Sequence, residues 1–213
     1  MKYLKPLIYQ KIFETINFIY EKSKYNKEID LFRFKDVLDS YTIGQYKSKL
    51  WAAKELKKYI TDEYDACLII GGWYGLLSHL MVEQNINQQI INIDLDKICN
   101  FLGQKLSIHK RISFETGDGF DIFDNEKRNT GRKVVICTAC EHIPKEELYF
   151  NLKRKNKNML VCLQSNNFFK VDSHINCYEN VEKFIESLPI ENILYSGKIN
   201  YNNEYDRFMV IGK

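Results

Sequence analysis

The residues best suited to chemistry recur at the ends of short apolar stretches. The segment Cys67-Leu-Ile-Ile-Gly71-Gly72-Trp73-Tyr74-Gly75-Leu-Leu runs from such a stretch straight into a helical pattern. Glycine permits a sharp turn there because it reaches positive φ, and its missing Cβ lets a ligand approach the backbone. Asp94 closes the next apolar stretch, at the spacing expected of an acid that accepts hydrogen bonds from the two hydroxyls of a ribose. Gly117-Asp118-Gly119-Phe120 closes the third. There Asp118 can accept from an adenine amino group while Phe120 packs on the ring face. Each acid alone reads equally well as a cap or turn residue, but three strand ends in register, two with acids, point to a nucleoside-containing ligand.

The fourth stretch ends in Cys137-Thr138-Ala139-Cys140-Glu141-His142. Glu141 and His142 are the candidates for a general base, a role that typically contributes 10²–10⁴-fold. The alternative is that Glu141 starts or caps the next helix, with Pro144 in its first turn. Cys137 and Cys140 form a C-x-x-C, but no second such pair and no H-x-x-x-H accompanies it, so neither a metal ligand nor a redox couple is expected. After the fifth stretch, Asn166, Asn167 and His174 offer neutral donors and acceptors to a substrate, or else belong to a solvated loop of Asx turns. His79 and His109 read as helix residues without a role. Tyr46, Lys49 and Trp51, on a helix opening at Gly44, either cover the ligand or divide between core and solvent.

The elements that must position these groups are legible in the apolar pattern. Leu4, Leu7, Ile8, Ile12, Phe13, Ile16, Ile19 and Tyr20 recur at steps of three and four, which predicts an amphipathic helix. A second short helix carries Leu31, Phe34, Val37 and Leu38, and a third covers about 46–60. From residue 66 onward, the runs 66–70, 90–94, 112–118, 134–139 and 159–164 are continuously apolar rather than alternating, as in parallel strands covered on both faces. Two last runs, 192–199 and 207–213, flank an Asn-rich turn at 200–206 and predict an antiparallel pair at one edge. The expected fold is α/β: a doubly wound, Rossmann-like seven-stranded sheet, mostly parallel with an antiparallel C-terminal strand, with residues 1–60 as a helical extension packed on a domain over 61–213.

Composition excludes several classes. The chain has 213 residues, 45% hydrophobic and 14% aromatic, enough for a sizeable core and too much for global disorder. Its 31 Lys and Arg against 28 Asp and Glu leave +3, too little for nucleic-acid binding through bulk charge. No run approaches the roughly 20 apolar residues that cross a bilayer. The N-terminus lacks the uninterrupted apolar core of a secretory signal. The six cysteines do not form a disulfide framework, so a reduced, cytoplasmic protein is expected.

The series G-G-x-Y-G, then I-D, then G-D-G-F at successive strand ends resembles the class I S-adenosylmethionine-dependent methyltransferase family, over roughly 61–213. The T-A-C-E-H phrase is similar to one in uncharacterised methyltransferase-like proteins, some of them from phage. The resemblance implies S-adenosyl-L-methionine as cofactor, with Gly71, Gly72, Tyr74 and Gly75 along its methionine part, Asp94 on the ribose, Asp118 and Phe120 at the adenine, and Thr138 beside it. It places the reacting group at the fourth strand end, with Glu141 and His142 catalytic and Asn166, Asn167 and His174 toward the acceptor. The glycine loop departs from the common E-x-G-x-G, with Ile70 before Gly71 and the bulky Trp73 and Tyr74 within the loop. The D/N-P-P-Y signature of amino-methylating nucleic-acid enzymes is absent, leaving a small molecule or a protein side chain as acceptor. An aminopropyl-type transferase or a non-catalytic nucleotide-binding accessory protein would share the fold. A nicotinamide dehydrogenase is disfavoured because G-G-W-Y-G breaks the G-x-G-x-x-G spacing.

Overall fold

The computed structural model describes residues 6–121, 131–201 and 204–213. Leu4 of the first apolar stripe and Asn202 and Asn203 of the last turn lie outside them. Three helices come first: α1 (Pro6–Ser23), α2 (Leu31–Ser40) and α3 (Ile43–Leu56). Then β1 (Ala66–Ile70), α4 (Leu76–Glu83), β2 (Gln89–Asp94), α5 (Lys97–Leu106), β3 (Ile112–Thr116) and β4 (Lys133–Cys137) follow. A 3₁₀ turn over Cys140–His142 leads to α6 (Lys145–Lys153), β5 (Leu160–Asn166), α7 (Val181–Glu186), β6 (Ile193–Tyr201) and β7 (Tyr205–Gly212).

The seven strands lie in the order β3-β2-β1-β4-β5-β7-β6. The first five are parallel, while β7 runs antiparallel between β5 and β6. Strand order therefore reverses between β1 and β4, where Ile70 pairs with both Ile93 and Cys137. Side chains alternate between the faces, as the pleat requires. Cys67, Ile69, Val134, Ile136, Leu160 and Cys162 point to one core, and Leu68, Ile70, Val135, Cys137, Val161 and Leu163 to the other. Both faces are covered, which explains the unbroken apolar runs. The first core also takes in Ile8, Ile12, Ile19 and Val37, so the N-terminal helices share the core of the sheet. Residues Leu76 to Val82 of α4 are all buried.

Helix starts follow local chemistry. Asp30 accepts from the Phe32 and Arg33 amides to cap α2, and Asp96 accepts from Ile98 and Cys99 to cap α5. Asn100 of α5 donates its side-chain amide to the carbonyls of Asp94 at 3.0 Å and Glu115 at 2.9 Å, which fixes the ends of β2 and β3 side by side. Two sequence expectations shift. The third helix spans Ile43–Leu56, starting at its Thr42 cap and ending earlier than residue 60. His109 lies beyond the end of α5, in the loop before β3, and is not a helix residue.

Candidate active site

A cavity of about 340 Å³ opens at the carboxyl ends of β1 to β4, lined by Gly71, Asp94, Asp118, Phe120, Ala139 and His142 among others. Gly71 has φ +64°, and nothing stands within 4 Å of where its Cβ would lie. At that position the backbone is strained for any other residue and bare toward open space. Gly72 serves packing instead, since a Cβ there would stand 2.6 Å from Asn92 Oδ1. Asp94 accepts from the Trp73 amide at 3.0 Å through one oxygen and from the Asp96 amide at 3.0 Å through the other. A carboxylate oxygen has two lone pairs, so both oxygens retain capacity for a ligand. Asp118 is exposed and accepts from the Phe120 amide at 2.8 Å through Oδ1, in an Asx turn. Phe120 is buried and forms part of the cavity wall.

Trp73 and Tyr74 turn away from this cavity. The Trp73 Nε1 donates to Asp36 Oδ2 at 3.3 Å and the Tyr74 hydroxyl to the same oxygen at 2.7 Å. Trp73 takes φ +47°, an unusual conformation for a bulky residue, held here by these contacts with α2. Burial and the Asp36 hydrogen bond push the Tyr74 phenol far above its usual range, so it stays a neutral donor. The expected place of Tyr74 along a ligand is therefore corrected: it is fully buried and anchors the glycine turn to α2.

A second group of polar side chains lies at the ends of β4, β5 and β7. Arg207 is buried and pairs through Nη1 with Glu141 Oε1 at 3.1 Å. Its other nitrogens donate to the Thr138 carbonyl and, at 3.3 Å, to Gln164 Oε1. Ser48 of α3 also donates to Gln164 Oε1, at 2.8 Å, which ties the helix to the sheet. Lys49 is buried too and donates to Gln45. Burial, with the like charge of Arg207, lowers its ammonium pKa to about 7. Glu141 is in the 3₁₀ turn, ahead of α6, so it does not cap that helix. His142, exposed, and His174, half-buried, meet edge to face with ring centroids 4.9 Å apart.

No family model matches the sequence, and no curated protein does either. Solved structures do match. A SAM-dependent methyltransferase from Anabaena variabilis ATCC 29413 is 15% identical with a TM-score of 0.60, over 77% of this chain and 82% of that one. TrmK of M. capricolum, in complex with S-adenosyl-homocysteine, is 16% identical with a TM-score of 0.52, over 76% and 67%. The mitomycin 7-O-methyltransferase MmcR is 10% identical with a TM-score of 0.57, over 98% and 69%. This chain has the class I methyltransferase fold.

Within that methyltransferase fold, Gly71, Asp94, Asp118, Phe120 and His142 converge on one cavity, as the spacing of the motifs suggests. Other expected site residues do not. Gly75, at φ +81°, starts α4, and a Cβ there would strike the Phe114 ring at 2.7 Å. Thr138 is buried, with its carbonyl bound to Arg207. Asn166 is fully buried and accepts from the Phe168 amide at 2.8 Å, while Asn167 accepts from the Asp206 amide at 2.7 Å. Asn166 therefore holds the start of the loop after β5 and Asn167 ties it to β7, and of that segment's expected residues His174 alone reaches the histidine pair. The thiols of the C-x-x-C are buried, and Cys140 donates to the Cys137 carbonyl. Asp36, Gln164 and Arg207 escaped the sequence reading. The sole signal for Arg207 was a cation immediately before the apolar residues Phe208 to Ile211.

Proposed function

We propose that this chain is an S-adenosylmethionine-dependent methyltransferase acting on a small-molecule or protein acceptor. One observation carries the reading: the cavity at the strand-order reversal of a methyltransferase fold is lined by a bare glycine turn and two strand-end acids. The residues fit the cofactor. Gly71 leaves space for a close approach to the backbone, the Asp94 oxygens keep capacity for two ribose hydroxyls, and Asp118 Oδ2 and the Phe120 ring suit an adenine. When bound, the cofactor supplies an already activated sulfonium methyl, so the protein has mainly to align an acceptor and manage its proton. His142 stands at the cavity wall, within reach of such an acceptor. Near-neutral charge supports a small or protein acceptor over nucleic acid. No helix among the described residues is long and apolar enough to cross a membrane. Six free cysteines, five of them buried, support a reducing, cytoplasmic setting.

Calorimetry with S-adenosylmethionine, S-adenosylhomocysteine and NAD tests the reading. Heat from the first two and none from NAD is the expected result. Silence from both sulfur nucleosides, at concentrations where NAD is also silent, would end it.

A further inference from the structure

We propose that Glu141, His142 and His174 form a binding site for one divalent transition-metal ion beside the cavity, with open coordination positions for an oxygen atom of the acceptor. The second half of that statement rests on the methyltransferase reading; the first does not.

Each of the three residues offers one ligand atom, and these atoms all lie within 4.8 Å of one another. Ligands held tetrahedrally at about 2.1 Å from an ion stand about 3.4 Å apart, so the widest pair must close by up to about 1.4 Å. The exposed His142 side chain has room for that adjustment. Each imidazole is held through one ring nitrogen. His142 Nδ1 lies 2.9 Å from the Ser173 carbonyl, and His174 Nδ1 lies 3.0 Å from the Phe168 carbonyl. A carbonyl only accepts, so in each ring Nδ1 carries the proton and Nε2 is left with its lone pair. Histidine ligands to metals are commonly held this way, with the far nitrogen donating to a backbone carbonyl.

The carboxylate supplies the independent observation. Glu141 is 3% exposed, and Arg207 holds its Oε1, yet its Oε2 is buried with no hydrogen-bond partner among the described residues. A buried charged oxygen left in this way is costly, and a cation coordinated there would satisfy it. Helix capping does not account for it, because α6 begins only at Lys145.

The ligands come from separate segments joined by Asn176. Its amide donates to the Glu141 carbonyl at 3.0 Å, and its side chain donates to the Cys140 carbonyl at 3.3 Å. The His174 loop is thereby fastened to the 3₁₀ turn. Two imidazoles and one carboxylate favour zinc, iron, cobalt or manganese over magnesium or calcium. Three protein ligands leave positions vacant, as in sites that bind substrate rather than in closed structural sites. The acceptor class that follows is an oxygen nucleophile, a hydroxyl whose pKa the ion lowers and whose proton passes to water.

The test uses the full chain, stripped with a chelator and titrated with zinc by calorimetry and with cobalt(II) by visible absorption. One ion per chain is expected, with a cobalt spectrum of nitrogen and oxygen ligands and no intense thiolate band. His142→Ala and His174→Ala, checked as folded by circular dichroism, should each weaken zinc binding at least about tenfold. Glu141→Gln should do the same, and if it fails to fold, the two histidine variants decide. Acetohydroxamate added to the cobalt protein should shift its bands. Absence of metal binding, a thiolate spectrum or wild-type affinity in both histidine variants would overturn the site. Bands unmoved by acetohydroxamate would overturn the open positions. S-adenosylhomocysteine titrated into the same samples separates the two proposals: metal binding without nucleoside binding leaves this site standing and removes the methyltransferase reading.

Discussion

At the ends of β1, β2 and β3 the site consists of a glycine turn and two short acids, whereas at the ends of β4, β5 and β7 it consists of long side chains sent in from four segments. In the first region the acids are half-buried or exposed, and each is oriented by backbone amides one or two residues away or across a neighbouring turn. In the second, Glu141, Gln164 and Arg207 are buried, and each depends on partners dozens of residues distant. A cleft for a nucleoside needs little more than backbone geometry and a few acceptors. A site that must handle a charge or a proton needs desolvated groups, and these must be paired with one another to be stable.

The contrast predicts where variants hurt. Arg207→Met should have the largest effect, because it leaves Glu141 buried without its partner. Urea denaturation should show a loss of about 3–5 kcal/mol. A loss below about 1 kcal/mol would mean that the polar network does not hold this region together. Next, Asp94→Ala should weaken S-adenosylhomocysteine binding by about ten- to a hundredfold, or about 1.4–2.8 kcal/mol. It should also cost about 1–3 kcal/mol of stability, since the Trp73 and Asp96 amides lose their acceptor. Asp94→Asn keeps a side-chain acceptor and should retain more of the stability while still losing affinity, and calorimetry beside thermal melts would separate the two effects.

The half of the sheet around β1 to β3 also has a buried titratable group. His79 in α4 is fully buried, and neither ring nitrogen has a hydrogen-bond partner among the described residues. Burial, with a smaller contribution from His109, lowers its pKa to about 4. The unfolded chain therefore takes up this proton first as pH falls below about 6.5, so stability declines between about 6.5 and 4. His79→Leu should remove that part of the acid slope, a gain of about 2 kcal/mol relative to wild type at pH 5 compared with pH 8. An identical slope in both proteins would refute the assignment. The smallest effect is expected on the other side. Lys49→Met replaces a buried amine next to Arg207 with an apolar chain of similar length and should raise stability by about 1 kcal/mol. A loss of stability would show that the Lys49 contact with Gln45 matters more than the cost of its burial.

The strands and the residues at the ends of β1 to β3 were legible because their signals are local. The run 66–70 matches β1 to the residue, and the runs ending at Asp94 and at Cys137-Thr138-Ala139 place the acids and the 3₁₀ turn where the sheet has them. Tyr74 misled because nothing near it in the chain announces Asp36, and only α2 folded across the glycine turn turns the ring inward. Asn166 and Asn167 misled in the opposite way. Polar residues at a sheet edge resemble a substrate rim until β7 inserts beside β5 and engages Asn167 through Asp206.

By itself the sequence determined the order of strands and helices, the glycine turn and the acids at the ends of β2 and β3, because apolar period, turn residues and strand ends act over a few neighbours. Only the tertiary structure decided that Glu141 would pair with Arg207, that Lys49 would be buried and that His142 and His174 would meet. Those outcomes depend on β7 returning between β5 and β6 and on Asn176 fastening a loop to the turn after β4. Contacts between segments so far apart are set by how the layers close over the core, and no local pattern records that closure.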